Sequence, residues 1–303
     1  MSHGKSIPGM DCVLIHSAFA GPKDAGGTRH YEIANTMAER GHRIRVITSG
    51  VSYLTGRARD VQEHAGPPGN EEAIRVLVAW TPEILHRSFL FRLLAFLIFM
   101  ISSTLKALMV RRVDIVVGTS PPIFQAFSAA LVAAFRRRPF ILEIRDLWPD
   151  FAIGMGVLKN RLLIRLARWM EGQLYLRADR IVVNSPAYQE FLEERGVPKE
   201  KVVLVPNGTN AAMFKPGERG KRWRDEWAIP DQAFLVVYAG ALGMANDIPT
   251  IIKAAEALRS DPSIQLVLVG DGKERGRLEE TAQSRQLDNL LFSGPVSKSS
   301  IPD

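Results

Sequence analysis

Three groups of residues have the types and spacing to do chemistry. The run Glu143-Ile144-Arg145-Asp146-Leu147-Trp148-Pro149-Asp150 follows an apolar segment directly. Arg145 there could take a phosphate and Asp146 a hydroxyl; the alternative is a structural ion pair beside a buried Trp148. A second group, Ala25-Gly26-Gly27-Thr28-Arg29, sits between a strand signal and a helix signal. Paired glycines let a backbone approach a ligand closely, and a helix start favours an anion or a sugar hydroxyl. The same pair also suits a tight connection and nothing more. The third group is Tyr238-Ala239-Gly240-Ala241-Leu242-Gly243 together with Gly270-Asp271-Gly272. Both stretches are glycine-bearing strand ends leading into helices, where a nucleotide diphosphate would meet backbone N–H groups and the positive helix end.

Several chemistries are excluded by what is missing. The sequence has no Asp-x-Asp, no G-x-x-x-x-G-K-[ST] and no G-x-S-x-G. That removes the usual metal–diphosphate motif, the phosphate loop and the hydrolase nucleophile elbow. The six histidines (3, 16, 30, 42, 64 and 86) lack metal-ligand spacing, and the lone Cys12 can form neither a disulfide nor a thiolate cluster. No metal and no cofactor are expected. A nicotinamide enzyme would need a third glycine in the first turn and an acid after the second strand, but Ser49-Gly50 stands there.

The elements that must position these residues alternate. Short apolar runs at 12–16, 44–48, 73–79, 114–117, 140–144, 181–184 and 202–205 read as strands. Helical patterns fill 28–40, 86–111, 122–135, 159–177 and 186–195. Strands that are apolar throughout and separated by helices imply a parallel sheet covered on both faces. Pro206-Asn207-Gly208 interrupts the pattern, and the polar run to about Arg224 reads as a connection. A second alternation follows: strand 234–239, helix 247–259, strand 264–269, helix 273–286 and strand 290–293. The expected organisation is an α/β domain at 1–206 and a second, incomplete one at 207–303.

Lys plus Arg number 39 against 32 Asp plus Glu, a net charge of +7. The excess is local: residues 86–180 hold fifteen basic and six acidic residues, and the remainder is slightly acidic. Inside that stretch the longest uncharged interval is Leu93 to Leu105, thirteen residues. At about 1.5 Å per residue this is short of the roughly 30 Å bilayer core. The helix at 86–111 is therefore expected to lie in a membrane interface or to be a core helix, and the flanking charge favours the membrane. Interleaved Leu, Ile and Phe argue against nucleic acid. The first ten residues lack the apolar core of a secretory signal.

Taken in order, GGTRHYEIANTMAERGHRIRVITS, VVGTSPP (116–122), EIRDLWPD (143–150), VVNSPAYQEFL (182–192), VPNGTN (205–210), YAGALG (238–243) and VLVGDGKERGRLEE (267–280) resemble the retaining glycosyltransferases of family four. The SPP and RDLWP elements further resemble its bacterial branch acting on N-acetylfucosamine-type sugars in surface polysaccharide synthesis. This resemblance implies the GT-B fold, two Rossmann-like doubly wound parallel-sheet domains facing a cleft. It implies transfer with retention, without metal, from a nucleotide-diphosphate sugar (UDP-linked) to a lipid-linked or polysaccharide acceptor. The enzyme would be cytoplasmic and peripheral on the inner face of the membrane.

Residue by residue, the resemblance makes Gly26, Gly27, Thr28 and Arg29 the acceptor and diphosphate loop. It makes Gly240, Gly243, Asn246, Gly270, Asp271 and Gly272 the donor-binding residues, with Arg145 and Asp146 as catalytic candidates. Many members carry an Arg and a Lys where Ala241 and Asn246 stand, so Arg145 or Arg29 is expected to supply the missing cation. The family's two glutamates, seven residues apart, find no counterpart up to Asp303. The alternative is thus a catalytically silent GT-B fragment that binds acceptor, membrane or a partner.

Overall fold

In the computed structural model, residues 8–21, 24, 27–53, 55–63, 65–66, 70–209, 211, 213–215, 221–297 and 300–302 are described. The described residues form two compact units, one of residues up to 21 and from 28 to 208, the other of residues from 209 onward together with 24 and 27.

The first unit is built on seven strands: β1 (Asp11–Ile15), β2 (Arg43–Ser49), β3 (Ile74–Ala79), β4 (Ile115–Ser120), β5 (Phe140–Ile144), β6 (Arg180–Val183) and β7 (Val202–Leu204). All pairings are parallel, in the order β3-β2-β1-β4-β5-β6-β7. The chain therefore grows outward from β1 in one direction, then restarts at β4 in the other. The reversal lies between β1 and β4, where open α/β sheets bind ligands at their carboxyl ends.

Period-two alternation sends β1 side chains to both faces. Val13 and Ile15 enter one core, with α2 (Phe89–Leu108), α3 (Ile123–Arg136) and α5 (Arg161–Arg177) above it. Cys12 and Leu14 enter the other, beneath α1 (Arg29–Glu39). Cys12 is a free, buried thiol that burial pushes up to about 12. Gly118 on β4 is a close-packing position: a Cβ there would sit 2.5 Å from the Ala129 Cβ on α3.

The helix expected at 86–111 is α2, begun by the Ser88 hydroxyl, which accepts from the Phe91 N–H at 3.4 Å. It is long and apolar enough, by length and composition, to cross a membrane. Its two faces differ, however. Ala95, Phe99, Ser103 and Ala107, each four residues apart, are buried. Ser103 and Thr104 hydroxyls meet the Ser128 hydroxyl of α3 at 2.9 and 2.8 Å. The opposite stripe, Leu90, Leu94, Leu97, Ile101 and Leu105, is exposed. The core expectation thus describes one side of the helix, and the other side is apolar and exposed.

Asn160 starts α5 by accepting from Leu162 and Leu163 N–H groups at 2.9 and 3.2 Å. Two short helices escape the periodicity. These are α4 (Asp150–Gly154) and, inside the stretch expected to be a plain connection, α7 (Lys221–Glu226). Between them in sequence lies α6 (Pro186–Glu194).

The second unit has three parallel strands, β8 (Phe234–Ala239), β9 (Ile264–Val269) and β10 (Leu290–Gly294), in the order β10-β9-β8. α8 (Ile248–Ala257) and α9 (Arg275–Ser284) close one face through Ile252, Leu268 and Leu278. β8 is an edge strand whose Phe234, Val236 and Val237 are exposed.

Candidate functional site

Register places the polar residues of the first unit. Ile15 pairs with Gly118 and Thr119 with Glu143, so His16, Thr119 and Glu143 stand in one row across β1, β4 and β5. That row lies at the carboxyl edge of the sheet, at the switch between β1 and β4.

Glu143 is its centre. His30 Nε2 is in a short contact with Glu143 Oε2, and Arg29 Nε donates to Oε1 at 2.9 Å. Burial alone would raise this carboxyl, but the hydrogen bonds and charges of His30 and Arg29 pull it down to about 2. The charge is thus kept in a dry place because two donors from the start of α1 are aimed at it. The His16 ring lies 4.1 Å from that of His30. His16 is 2% exposed, and burial, with the nearby His30, Arg145 and Arg59, lowers its pKa well below the usual histidine value. It is a neutral imidazole whose buried Nδ1 has no hydrogen-bond partner among the described residues. Arg59 braces the same edge, donating to the Phe19 carbonyl at 2.8 Å and to Thr48 Oγ1 at 3.0 Å.

Arg145 emerges just past β5. Its Nε donates to Thr119 Oγ1 at 3.0 Å and its Nη2 to the Pro121 carbonyl at 3.1 Å. Burial lowers its pKa, against the pull of Glu143 and Asp146. Asp146 is displaced upward by burial, with Arg145 opposing. The structural ion pair suggested for Arg145 and Asp146 is not formed; Arg145 bonds to Thr119 and Pro121 instead, and Trp148 is only half-buried. Asn184, after β6, donates to the Arg145 carbonyl at 3.2 Å while its own Oδ1 is buried without a partner among the described residues. Three guanidinium groups and two imidazoles thus gather near the Glu143 and Asp146 carboxylates, with two polar atoms that have no partner among the described residues. Such an edge is disposed to take an anion and a hydroxyl.

The glycine-loop expectations fare unevenly. Gly26 lies outside the described residues. Gly27 is exposed, and a Cβ there would meet nothing within 4 Å. Thr28 is buried, and its carbonyl accepts the Glu32 N–H at 2.9 Å. Arg29 needs correction as a candidate cation for a diphosphate. Besides Glu143, it donates through Nη1 to the Pro206 carbonyl at 2.9 Å and through Nη2 to the Val205 carbonyl at 2.8 Å. It ties the start of α1 to β5 and to the chain leaving β7. Arg145, by contrast, keeps its Nη1 without a partner among the described residues.

In the second unit the glycines have a packing reason. A Cβ on Gly270, at φ +145°, would lie 1.9 Å from the Gly240 carbonyl oxygen. One on Gly272 would lie 2.3 Å from the Leu242 carbonyl oxygen. The two strand-end loops are laced together: Gly240 N–H donates to Val269, Leu242 N–H to Asp271 and Gly272 N–H to the Asp271 carboxylate. These three N–H groups are engaged within the second unit. Asn246 donates its N–H to the Gly243 carbonyl at 3.0 Å, and the neighbouring Tyr238 hydroxyl donates to the Ala241 carbonyl at 3.0 Å. Among the described residues no group of three or more His, Cys, Asp or Glu is placed to hold a metal ion.

Glu143, His16 and His30 carry no role in the sequence pattern. The available signal was their place at strand ends and a helix start, but their partners are over a hundred residues apart in the chain.

Residues 25–208 match the family described as "Glycosyl transferase 4-like domain". The chain belongs to this family. Residues 220–303 of this glycosyltransferase match "Glycosyl transferases group 1". Among curated relatives, the Escherichia coli (strain K12) protein named "Putative colanic acid biosynthesis glycosyl transferase WcaI" is 27% identical over 301 residues, spanning 96% of this chain and 73% of that protein. "O-antigen chain mannosyltransferase C" of Escherichia coli is 27% identical over 142 residues, 46% of this chain and 36% of that one. Two solved structures share the fold. Sucrose-phosphate synthase from Thermosynechococcus elongatus superposes with a TM-score of 0.70 at 20% identity, over 97% of this chain and 72% of its own. Anabaena Alr3699/HepE in complex with UDP-glucose gives 0.65 at 16%, over 95% and 70%. The glycosyltransferase fold is thus GT-B, two Rossmann-like units.

Proposed function

We propose that this glycosyltransferase moves a sugar, with retention at the anomeric carbon, from a UDP-linked sugar to a lipid-linked or polysaccharide acceptor in cell-surface glycan synthesis. The donor sugar is of the N-acetylfucosamine type, and the reaction takes place at the inner face of the cytoplasmic membrane. The observation that carries this reading is the cationic, largely dry row at the β1/β4 switch. As the glycosyl bond breaks, negative charge grows on the departing diphosphate, and preorganised donors that meet it lower the barrier. Arg145, pinned by Thr119 and Pro121, is such a donor, and in this reading it takes the place of a metal. Neutral His16 offers a hydrogen bond to a hydroxyl without drawing the diphosphate to itself as a second cation would.

The relative named for colanic acid biosynthesis and the one named for the O-antigen chain support a surface-glycan acceptor. The solved complex of HepE with UDP-glucose supports a UDP-sugar donor. The test is a panel of UDP- and GDP-sugars incubated with the full-length protein and a membrane lipid extract. Nucleoside diphosphate should be released from a UDP-sugar only when the extract is present, with the donor's anomeric configuration kept in the product. Release from no donor, or an inverted product, would overturn the proposal.

A further inference from the structure

α2, α3 and α5 lie side by side on one face of the seven-stranded sheet, and their outward surfaces are apolar together. The outer stripe of α2 runs from Leu90 to Leu105. On α5, Leu162, Leu166, Trp169 and Leu176 are spaced by four, three and seven residues, which lines them along one side of the helix. Leu162 is 72% exposed and Trp169 54%. The Trp169 ring lies 6.2 Å from that of Phe127, so the α5 stripe is continuous with α3, which adds the exposed Phe135. Monomeric soluble proteins rarely leave so many large apolar side chains together in water.

The charge around this surface is predominantly basic, with Asp150 paired to Arg168 of α5 at 3.1 Å and Asp114 beside Arg112 as its acidic neighbours. Lys106 and Arg112 stand at the end of α2, Arg137 and Arg138 just past α3, and Arg161 and Arg165 on α5, all exposed. Across the three helices the sequence holds a single carboxylate, Glu171. It is buried, accepting from the Tyr175 hydroxyl at 2.7 Å and pairing with Arg195 at 3.3 Å. Basic side chains around an apolar plate, with a tryptophan at its centre, match an anionic lipid interface. A second copy of the same surface would set guanidinium against guanidinium.

We propose that the outer faces of α2, α3 and α5 form one plate that lies in the headgroup interface of an anionic phospholipid bilayer, with α5 a full partner of α2. The plate rests on the reading of a membrane-face glycosyltransferase and names the surface by which it docks. α2 does not cross the bilayer, because its inner stripe is committed to α3. Docking on two helices fixes the tilt of the first unit, as a single helix would not.

The test is co-sedimentation of the full-length protein with vesicles of phosphatidylcholine alone or with about one third phosphatidylglycerol. The anionic vesicles should bind at least about tenfold more tightly, and high salt should cut that advantage. Changing Arg161→Ser and Arg165→Ser together should weaken binding about tenfold or more, at roughly 1 kcal/mol per basic residue near the surface. Leu162→Gln with Trp169→Gln should do the same with an unchanged melting temperature, since both side chains are exposed. On the unaltered protein, brominated lipid should quench tryptophan emission, and Trp169→Phe should remove most of the quenching while binding persists. Equal binding to both vesicle types would overturn the plate, as would α5 variants that bind like the original. A dimer that Trp169→Gln converts to monomer would assign the surface to a second copy instead. Donor and acceptor sugars are absent from these assays, so their outcome is separable from that of glycosyl transfer.

Discussion

Glu143→Gln removes the charge at the centre of the strand-end row and keeps the shape. The carboxyl is held at about 2 against an ordinary 4.5. A difference of about 2.5 units at about 1.4 kcal/mol each corresponds to roughly 3 kcal/mol of stabilisation when the group is ionised. Breaking a buried charge pair from one side costs about 3–5 kcal/mol, which agrees. The sign follows from the direction of the shift. Because the folded value is depressed, the contribution is complete above pH 4.5 and is lost as pH falls from there towards 2. Urea unfolding of the original and of Glu143→Gln should therefore differ by about 3 kcal/mol at pH 7, and by roughly 2 kcal/mol less at pH 3. The variant's own stability should change less over that interval. A difference below about 1 kcal/mol at pH 7, or one that does not shrink with acid, would refute the idea that His30 and Arg29 hold Glu143 ionised.

His16 works in the same direction, over a higher pH window. Its folded pKa is depressed below the ordinary 6.5, so the unfolded chain takes up the proton first as pH falls. Stability should be lost below pH 6.5 at up to about 1.4 kcal/mol per pH unit, and His16→Gln should flatten that slope in the same urea titrations. Gly118→Ala should cost about 1–3 kcal/mol by overpacking against Ala129, with part of the loss recovered in Gly118→Ala/Ala129→Gly on thermal unfolding. Gly27→Ala should leave stability within about 0.5 kcal/mol, since a Cβ there meets open space, so any loss of transfer rate would be a ligand effect.

The sheet was legible because its strands are apolar throughout: 140–144, 234–239 and 264–269 are found as expected, and the others differ at their ends. α4 and α7 are too short for a 3.6-residue period to show, and α7 follows a run of Gly, Pro and charge. The two sides of α2 could not be separated in sequence, because both stripes are apolar and only α3 distinguishes them. In the site, Arg145 was visible from its place after β5. Glu143, two residues earlier, looked like part of a strand, since its partners sit on α1, far along the chain. Arg29 shows the converse. Its position in the glycine loop suggested a ligand, and only the fold brings Glu143, Val205 and Pro206 within its reach.

The most direct test of the central claim, that the strand-end row of the first unit drives sugar transfer from a nucleotide diphosphate, is a comparison of Arg145→Gln with the original protein. The full-length protein would be assayed for passage of labelled sugar from its UDP-linked donor into membrane lipid. The original should transfer, and Arg145→Gln should lose about a hundredfold or more in rate with its melting temperature little changed, the usual loss when one preorganised donor to a developing anion is removed. Equal transfer by the two proteins, or none by the original with any nucleotide sugar, would contradict the account.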